Sequence, residues 1–277
     1  MSGKRIFVTG GGSGLGKALA RRFAAEGWRV AVGDLDAASA RRVRDEIAGD
    51  AEAALAFRCD VTKERDLVRV ANLLEKRWGG ADVVVNNAGV AQADRIEDAS
   101  LDDWQWILDV NLLGVVRGCK VFTPRFKRQG SGHLVNVASM AGLVHPPFMA
   151  AYNASKAAVV ALSETLESEL REHGIAVTVV CPGFFRTNLG KSLRTGNPGL
   201  REMTDRLVSR SPLTAEQVAD RVYEAVESRE FWVLPHFEGQ AAWLLKRVLP
   251  HALYTWEMNR QTASFRRAAD KPAKRKP

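Results

Sequence analysis

The sequence predicts an α/β fold, a single doubly wound parallel sheet of about seven strands flanked by helices. Three observations carry this. Short continuous apolar runs alternate with longer stretches of helical period, as parallel strands covered on both faces do. A glycine-rich turn, "VTGGGSGLG", leads from the first run into the first helical stretch. The 277 residues, 46% of them hydrophobic, suffice for one substantial core, with no internal repeat and no Pro/Gly/Ser linker before the last few residues.

The strands are read at Ile6–Thr9, Val30–Gly33, Ala54–Cys59, Val83–Asn86, His133–Ala138, Ala176–Cys181 and Phe231–Leu234. Helical patterns lie between them near 15–26, 36–48, 63–78, 101–120, 152–173 and 214–227. Residues 1–261 are read as one domain, with a mobile lid at about 188–212 and an extension at about 236–261; 262–277 read as a basic, disordered tail. Ligands of such sheets lie at the carboxyl ends of the strands, so a candidate residue gains weight when it directly follows one.

Composition narrows the function classes. Cys59, Cys119 and Cys181 are widely spaced, form no CxxC or metal-ligand pattern, and read as buried reduced thiols of a cytoplasmic protein. The five histidines are scattered and no metal site is expected. A strand begins almost at once, leaving no room for a signal peptide, and no apolar run approaches the roughly 18 residues of a membrane span. The net charge of +8 is concentrated at one end: residues 246–277 hold nine Lys/Arg against Glu257 and Asp270. The tail has no interleaved aromatics, so no nucleic-acid partner is expected. The stretch "AAWLLKRVLPHALYTW" is amphipathic and basic. It suits either a membrane surface or packing on its own subunit or a neighbouring one.

In the glycine turn, Gly10, Gly14 and Gly16 permit a tight bend and close approach of backbone N–H groups to a phosphate, with a helix N-terminus behind them. The second strand ends "VAVGDLD", placing Asp34 where a carboxylate accepts hydrogen bonds from adenosine ribose hydroxyls and repels a 2′-phosphate. No Arg or Lys follows directly, so the cofactor reads as NAD(H). Asp60, after the third strand, suits either an adenine amino group or the cap of the helix near Lys63.

Tyr152 and Lys156, in "YNASK", stand four residues apart on one helix face. A nearby ammonium favours phenolate, and a shift of roughly 2–3 units would poise the phenol as a general acid or base. Ser139 follows the fifth strand and can donate to a carbonyl oxygen; "NNAG" (Asn86–Gly89) follows the fourth and can shape the floor; Asn111 is a polar amide inside an apolar helical pattern, suited to a kink or a held water.

With Thr9–Gly16, Asp60, Asn86–Gly89, Asn111, Ser139, Tyr152–Lys156 and Pro182–Thr187 ("PGFFRT") in this order, the chain resembles the short-chain dehydrogenase/reductase family from residue 4 to about 235. The resemblance implies a Rossmann-like fold and a catalytic tetrad. In it Tyr152 is the acid/base, Lys156 lowers its pKa and bonds the nicotinamide ribose, Ser139 holds the substrate oxygen, and Asn111 supports a water. It further implies a dinucleotide site of Gly10, Gly12, Ser13, Gly14, Leu15, Gly16, Asp34, Leu35, Asp60, Val61, Asn87, Ala88, Gly89, Pro182, Gly183, Phe185 and Thr187, joined by Tyr152 and Lys156. A homodimer or homotetramer built on the helices at 101–120 and 152–173 is implied too. The expected reaction is NAD(H)-dependent interconversion of an alcohol and its ketone or aldehyde. Large apolar groups around 143–149 and 184–189 point to a bulky hydrophobic substrate, with His145, Phe148, Phe184 and Leu189 as contacts beside Ser139 and Tyr152. The alternatives are a 3-oxoacyl-carrier-protein reductase, which would prefer NADPH, and a non-catalytic NAD(H) sensor.

Overall fold

Strand and helix alternate from the start in the computed structural model, which describes residues 4–47, 52–186 and 189–270, with backbone alone at 189 and 191. The first half runs β1 (Arg5–Thr9), α1 (Gly14–Ala25), β2 (Arg29–Asp34), α2 (Ala37–Ile47), β3 (Ala54–Arg58) and α3 (Glu64–Trp78). There follow β4 (Val83–Asn86), β5 (Ala91–Gln92), α4 (Leu101–Leu108), α5 (Gly114–Gln129), β6 (Gly132–Val137), α6 (Ala141–Val144), α7 (Ala150–Leu170) and β7 (Ile175–Val180). The chain ends with β8 (Leu193–Arg194), α8 (Pro198–Arg210), α9 (Ala215–Ser228), β9 (Trp232–Val233), α10 (Phe237–Val248), α11 (His251–Gln261) and α12 (Ala263–Ala269).

Seven strands form one sheet in the order β3-β2-β1-β4-β6-β7-β9, every neighbouring pair parallel. β5 and β8 make a separate two-stranded ribbon. Alternation along β1 feeds two cores: Phe7 packs with α3, α5 and α7 on one face, while Ile6 and Val8 pack with α1 and α9 on the other. The strand order reverses between β1 and β4, so the crevice for a ligand opens at the carboxyl ends of those two strands. All three cysteines are buried free thiols, and burial pushes each pKa up to about 12.

Three expectations need correction. The helical stretch at 101–120 is interrupted by a π-helical turn, Asp109–Leu113, that carries Asn111 inward. The basic amphipathic stretch is two helices broken at Pro250, which has no N–H to continue α10. The tail is not disordered over 262–270: α12 lies on α8, with Ala268 and Ala269 buried. The backbone of Ala268 fits against Gly199 and the Ala269 carbonyl accepts the Asn197 amide at 2.9 Å, a local match that the basic composition of 262–277 conceals. Residues 271–277 lie outside the described residues.

Candidate active site

The glycine turn is held by short-range sterics. Gly10 and Gly14 take positive φ angles of 62° and 51°. A Cβ on Gly16 would lie 2.2 Å from the Gly10 carbonyl oxygen, and one on Gly12 would lie 2.8 Å from an Asp34 carboxylate oxygen. Ser13 is the N-cap of α1 yet makes no side-chain cap bond. The first-turn N–H groups, which a helix cannot satisfy internally, therefore remain donors for an anion at the positive end of the dipole. This cradle of bare backbone fits the pyrophosphate of a dinucleotide.

Thr9 ties the crevice floor together. Its Oγ1 accepts the N–H groups of Asn87 (3.0 Å) and Ala88 (3.1 Å) and donates to Val85 O at 3.2 Å. The Asn87 amide donates in turn to the carbonyls of Thr9 (2.8 Å) and Gly10 (3.2 Å). Asp34 accepts Gly12 N–H (2.9 Å) on Oδ2 and Asp36 N–H (3.0 Å) on Oδ1, which uses two of its roughly four acceptor positions. Leu35 beside it is exposed. Asp60 does not cap α3, whose N-cap is Lys63; it accepts the Thr62 N–H (3.1 Å) and hydroxyl (2.6 Å) and shapes the turn before that helix. Val61 is buried against Gly114, where an added Cβ would meet it at 3.0 Å.

At the reacting end, β6 delivers Ser139 and the first turn of α7 delivers Tyr152. Ser139 Oγ accepts Ala141 N–H at 3.1 Å and donates to Pro182 O at 3.3 Å, which sets β6 against the loop after β7. Lys156 Nζ is buried, lies 6.0 Å from the Tyr152 ring centre and donates to Val137 O at 2.8 Å. Burial draws its pKa down to about 8. The phenol does not follow the sequence expectation: burial holds its pKa above the ordinary value, and the Ser139 hydroxyl pulls only partly against that. Desolvation of the phenolate outweighs a lysine whose ammonium is turned to a backbone carbonyl.

Asn111 is fully buried and pairs with Val90 in both senses: its Oδ1 accepts Val90 N–H at 2.8 Å and its Nδ2 donates to Val90 O at 3.0 Å. It also donates to Ser155 Oγ at 3.2 Å, and Ser155 donates to Tyr152 O at 2.8 Å. Gly89 lies beside both groups: a Cβ there would stand 3.4 Å from Asn111 Oδ1 and 3.5 Å from Lys156 Nζ, ordinary contact distances.

A third apolar cluster surrounds Tyr152 and includes Met149, Leu193, Leu200, Met203, Ala268 and Ala269, with Phe148 packed on it. Asp94 fastens the turn before α8: Oδ1 accepts Thr195 Oγ1 (3.1 Å) and Gly196 N–H (3.0 Å). Phe148 sits at φ 62° with the Arg95 guanidinium 5.3 Å from its ring, a strained position at the wall of the cluster. His145 is not free for a substrate, because Nδ1 accepts the Lys246 ammonium at 2.9 Å and Nε2 faces Gly142 O at 3.2 Å. Phe185 is spent in the core beside α9, which leaves its backbone alone for a cofactor. Phe184 is half-buried, and its carbonyl accepts Ser211 Oγ at 2.7 Å. Leu189 opens a short 3₁₀ turn; its side chain and the whole of Thr187 lie outside the described residues.

Three residues to which the sequence reading gave no role position the site. Thr9 and Ser155, inside motifs already noted, act through the bonds above. His236 accepts Gly183 N–H on Nδ1 at 3.0 Å and meets Phe184 O through Nε2 at 2.9 Å, which fixes the loop after β7. A serine directly before Lys156 was a usable signal; a histidine some fifty positions from its partners gave none.

Comparison with known proteins agrees with this geometry. The family model described as "short chain dehydrogenase" matches residues 4–198. "Probable oxidoreductase EphD" of Mycobacterium tuberculosis is 34% identical over 257 residues, 90% of this chain, which spans only 43% of that protein's length. "3beta-hydroxysteroid dehydrogenase 1" of Eggerthella lenta is 36% identical over 210 residues, 75% of this chain and 80% of that protein. A short chain dehydrogenase/reductase of Burkholderia phymatum, solved in complex with NAD, superposes with TM-score 0.81 at 30% identity and covers 98% of both chains. The 3-ketoacyl-(acyl-carrier-protein) reductase of Brucella melitensis, solved with NADH, gives TM-score 0.75 at 29% identity, covering 84% of this chain and 96% of that one. With the glycine cradle, the Tyr152–Lys156 pair and Ser139 on one crevice, the chain belongs to the short-chain dehydrogenase family of oxidoreductases.

Proposed function

We propose that the protein interconverts a primary or secondary alcohol and its aldehyde or ketone with NAD(H), on a bulky hydrophobic substrate of steroid, retinoid or lipid type. The observation that carries this is the apolar cluster closing over Tyr152, with Ser139 at the same end of the sheet. Bound nicotinamide supplies the hydride chemistry. The backbone of Gly10–Gly16 holds the pyrophosphate, and Asp34 receives the adenosine ribose and disfavours a 2′-phosphate. Ser139 donates to the substrate oxygen while Tyr152 exchanges a proton with it. Lys156 and Asn111 hold the proton path behind the phenol. The protein works as a homodimer or homotetramer in the cytoplasm, where its three thiols stay reduced.

The test is a panel of hydrophobic alcohols and ketones with each cofactor, read by nicotinamide absorbance. NADH should be preferred over NADPH. Tyr152→Phe should lose about 10³-fold or more in kcat, while quenching of protein fluorescence still reports NADH binding. Preference for NADPH, or full turnover by the variant, refutes the reading. A second reading is 3-oxoacyl-carrier-protein reduction. The similarity to a 3-ketoacyl-(acyl-carrier-protein) reductase solved with NADH removes the cofactor objection to it. Turnover of carrier-bound thioesters in preference to free ketones would select it.

A further inference from the structure

We propose that Lys246 and Tyr254 are positioning residues that set the wall of the substrate site, an inference that rests on the alcohol–ketone reading of that site. The helix α6 is a single turn between Ser139 and Tyr152, too short to pair the carbonyls of its last residues within itself. Those carbonyls are met from about a hundred residues further along the chain. Lys246 Nζ, on α10, donates to Leu143 O at 2.6 Å and to His145 Nδ1 at 2.9 Å. The Tyr254 hydroxyl, on α11, donates to Val144 O at 2.9 Å. Three successive residues are thus held from outside. The last of them, His145, stands at φ 56°, in the left-handed region that a residue with a Cβ enters only under constraint. The holding helix is itself anchored: the Trp243 ring lies 4.9 Å from that of Trp232 in β9, and Gly239 lies against Met140. Together α10 and α11 strap α6 to the edge of the sheet.

The strap matters because of what α6 joins. A Cβ on Gly142 would stand 2.6 Å from the Lys156 carbonyl carbon and 2.7 Å from its oxygen, so α6 rests backbone to backbone on α7. Upstream, Ser139 is doubly tied. Its own carbonyl accepts Gly142 N–H at 2.9 Å, and Pro182 O receives both the Ser139 hydroxyl and Met140 N–H. Downstream the ties are fewer. Pro146 O accepts the Asn153 amide at 2.7 Å, and the chain then enters the cluster around Tyr152 through Phe148 and Met149. Loss of the strap would therefore loosen the apolar wall and leave Ser139 in place. Lys246 and Tyr254 govern the fit of a bulky substrate rather than proton transfer.

The test uses the full chain with Lys246→Met, which keeps the stem, and Tyr254→Phe, which removes one oxygen, singly and combined. The amides of Leu143, Val144 and His145 bond to Met140 O and Ala141 O, so their hydrogen exchange reports the hold on α6. It should quicken at least about tenfold in the combined variant, with circular dichroism unchanged. KM for a bulky hydrophobic ketone should rise about tenfold while kcat falls less than about threefold and KM for NADH stays at the parent value. Should the combined variant fold poorly, Tyr254→Phe alone serves, with the same split at smaller size. Unchanged exchange at these amides, an unmoved KM for the bulky ketone, or a loss shared equally by NADH and by small and bulky ketones overturns the proposal. If the parent chain turns over no ketone or alcohol, the alcohol–ketone reading fails instead, and the exchange rates alone decide whether α10 and α11 hold α6.

Discussion

Gly199→Ala tests whether α12 clamps α8. Gly199 lies in the first turn of α8, and an added Cβ would stand 2.0 Å from the Ala268 carbonyl oxygen and 3.0 Å from its carbon. Both are backbone atoms, so no rotamer change relieves the contact and α12 must move. In α8 alone the alanine would be favoured by up to about 1 kcal/mol. Against that stand the bonds that dock α12. Asn197 Nδ2 donates to Ala269 O at 2.9 Å, contributing about 1 kcal/mol. The buried methyls of Ala268 and Ala269 contribute about 0.8 kcal/mol each. The Arg95–Asp270 pair, largely exposed, contributes little. The docked state is thus favoured by about 2.5 kcal/mol, a ratio of roughly 70 to 1. Trypsin cuts after Arg266 and Arg267, on the exposed side of α12. Because cleavage tracks the open population, its rate should rise on the order of 50-fold in Gly199→Ala. KM for a hydrophobic substrate should rise several-fold with a smaller fall in kcat, since Ala268 and Ala269 belong to the cluster around Tyr152. In a chain ending at Gln261 the same substitution should add nothing. Parent-like cleavage and KM in Gly199→Ala would refute the clamp.

Two further outcomes are expected. Asp34→Asn with Leu35→Arg keeps an acceptor for Gly12 N–H while exchanging a negative charge for a positive one; the NADPH/NADH ratio of kcat/KM should rise about 100-fold. His133 is buried on Thr178 Oγ1 at 2.7 Å, and burial lowers its pKa to about 4. The stability it contributes is full above the unfolded value near 6.5 and is eroded as pH falls toward 4. Urea unfolding should therefore show roughly 2–3 kcal/mol less stability at pH 4.5 than at pH 7, a slope that shrinks in His133→Gln.

The sheet was legible because its strands are buried on both faces and read as unbroken apolar runs. The predicted seventh strand, Phe231–Leu234, shortens to Trp232–Val233, where only one neighbour defines it. Ser139, Tyr152 and Lys156 were legible as candidates because each falls just after a strand or one helical turn from its partner. What escaped depends on contacts distant in sequence. The π turn at Asn111 is set by Val90 across a loop, the α12 clamp by Gly199 some seventy residues away, and the engagement of His145 by Lys246 a hundred residues on. A period count sees an amphipathic stretch at 241–256, but which side faces the protein is decided by where Lys246 finds its acceptors.

Burial acts on both members of the Tyr152–Lys156 pair, in opposite senses, and this decides the pH behaviour. The phenol is held above its ordinary value, so at neutral pH it carries its proton and is ready to give it to a carbonyl oxygen. Lys156 is charged below about pH 8 and progressively neutral above it. In the reductive direction kcat/KM should therefore be level up to about pH 8 and fall beyond it, as the ammonium that steadies the phenolate left by proton transfer is lost. In the oxidative direction the phenolate is the active form, and its fraction grows tenfold per pH unit below the raised pKa. That profile should climb without a plateau from neutral pH into the alkaline range. Lys156→Arg keeps the charge at all working pH and should carry the reductive fall to higher pH, whatever it costs in absolute rate. An oxidative profile already flat from pH 7 would mean that the ammonium does draw the phenol down to neutrality. The electrostatic order of the site would then be the one the helix spacing implies rather than the one its burial imposes.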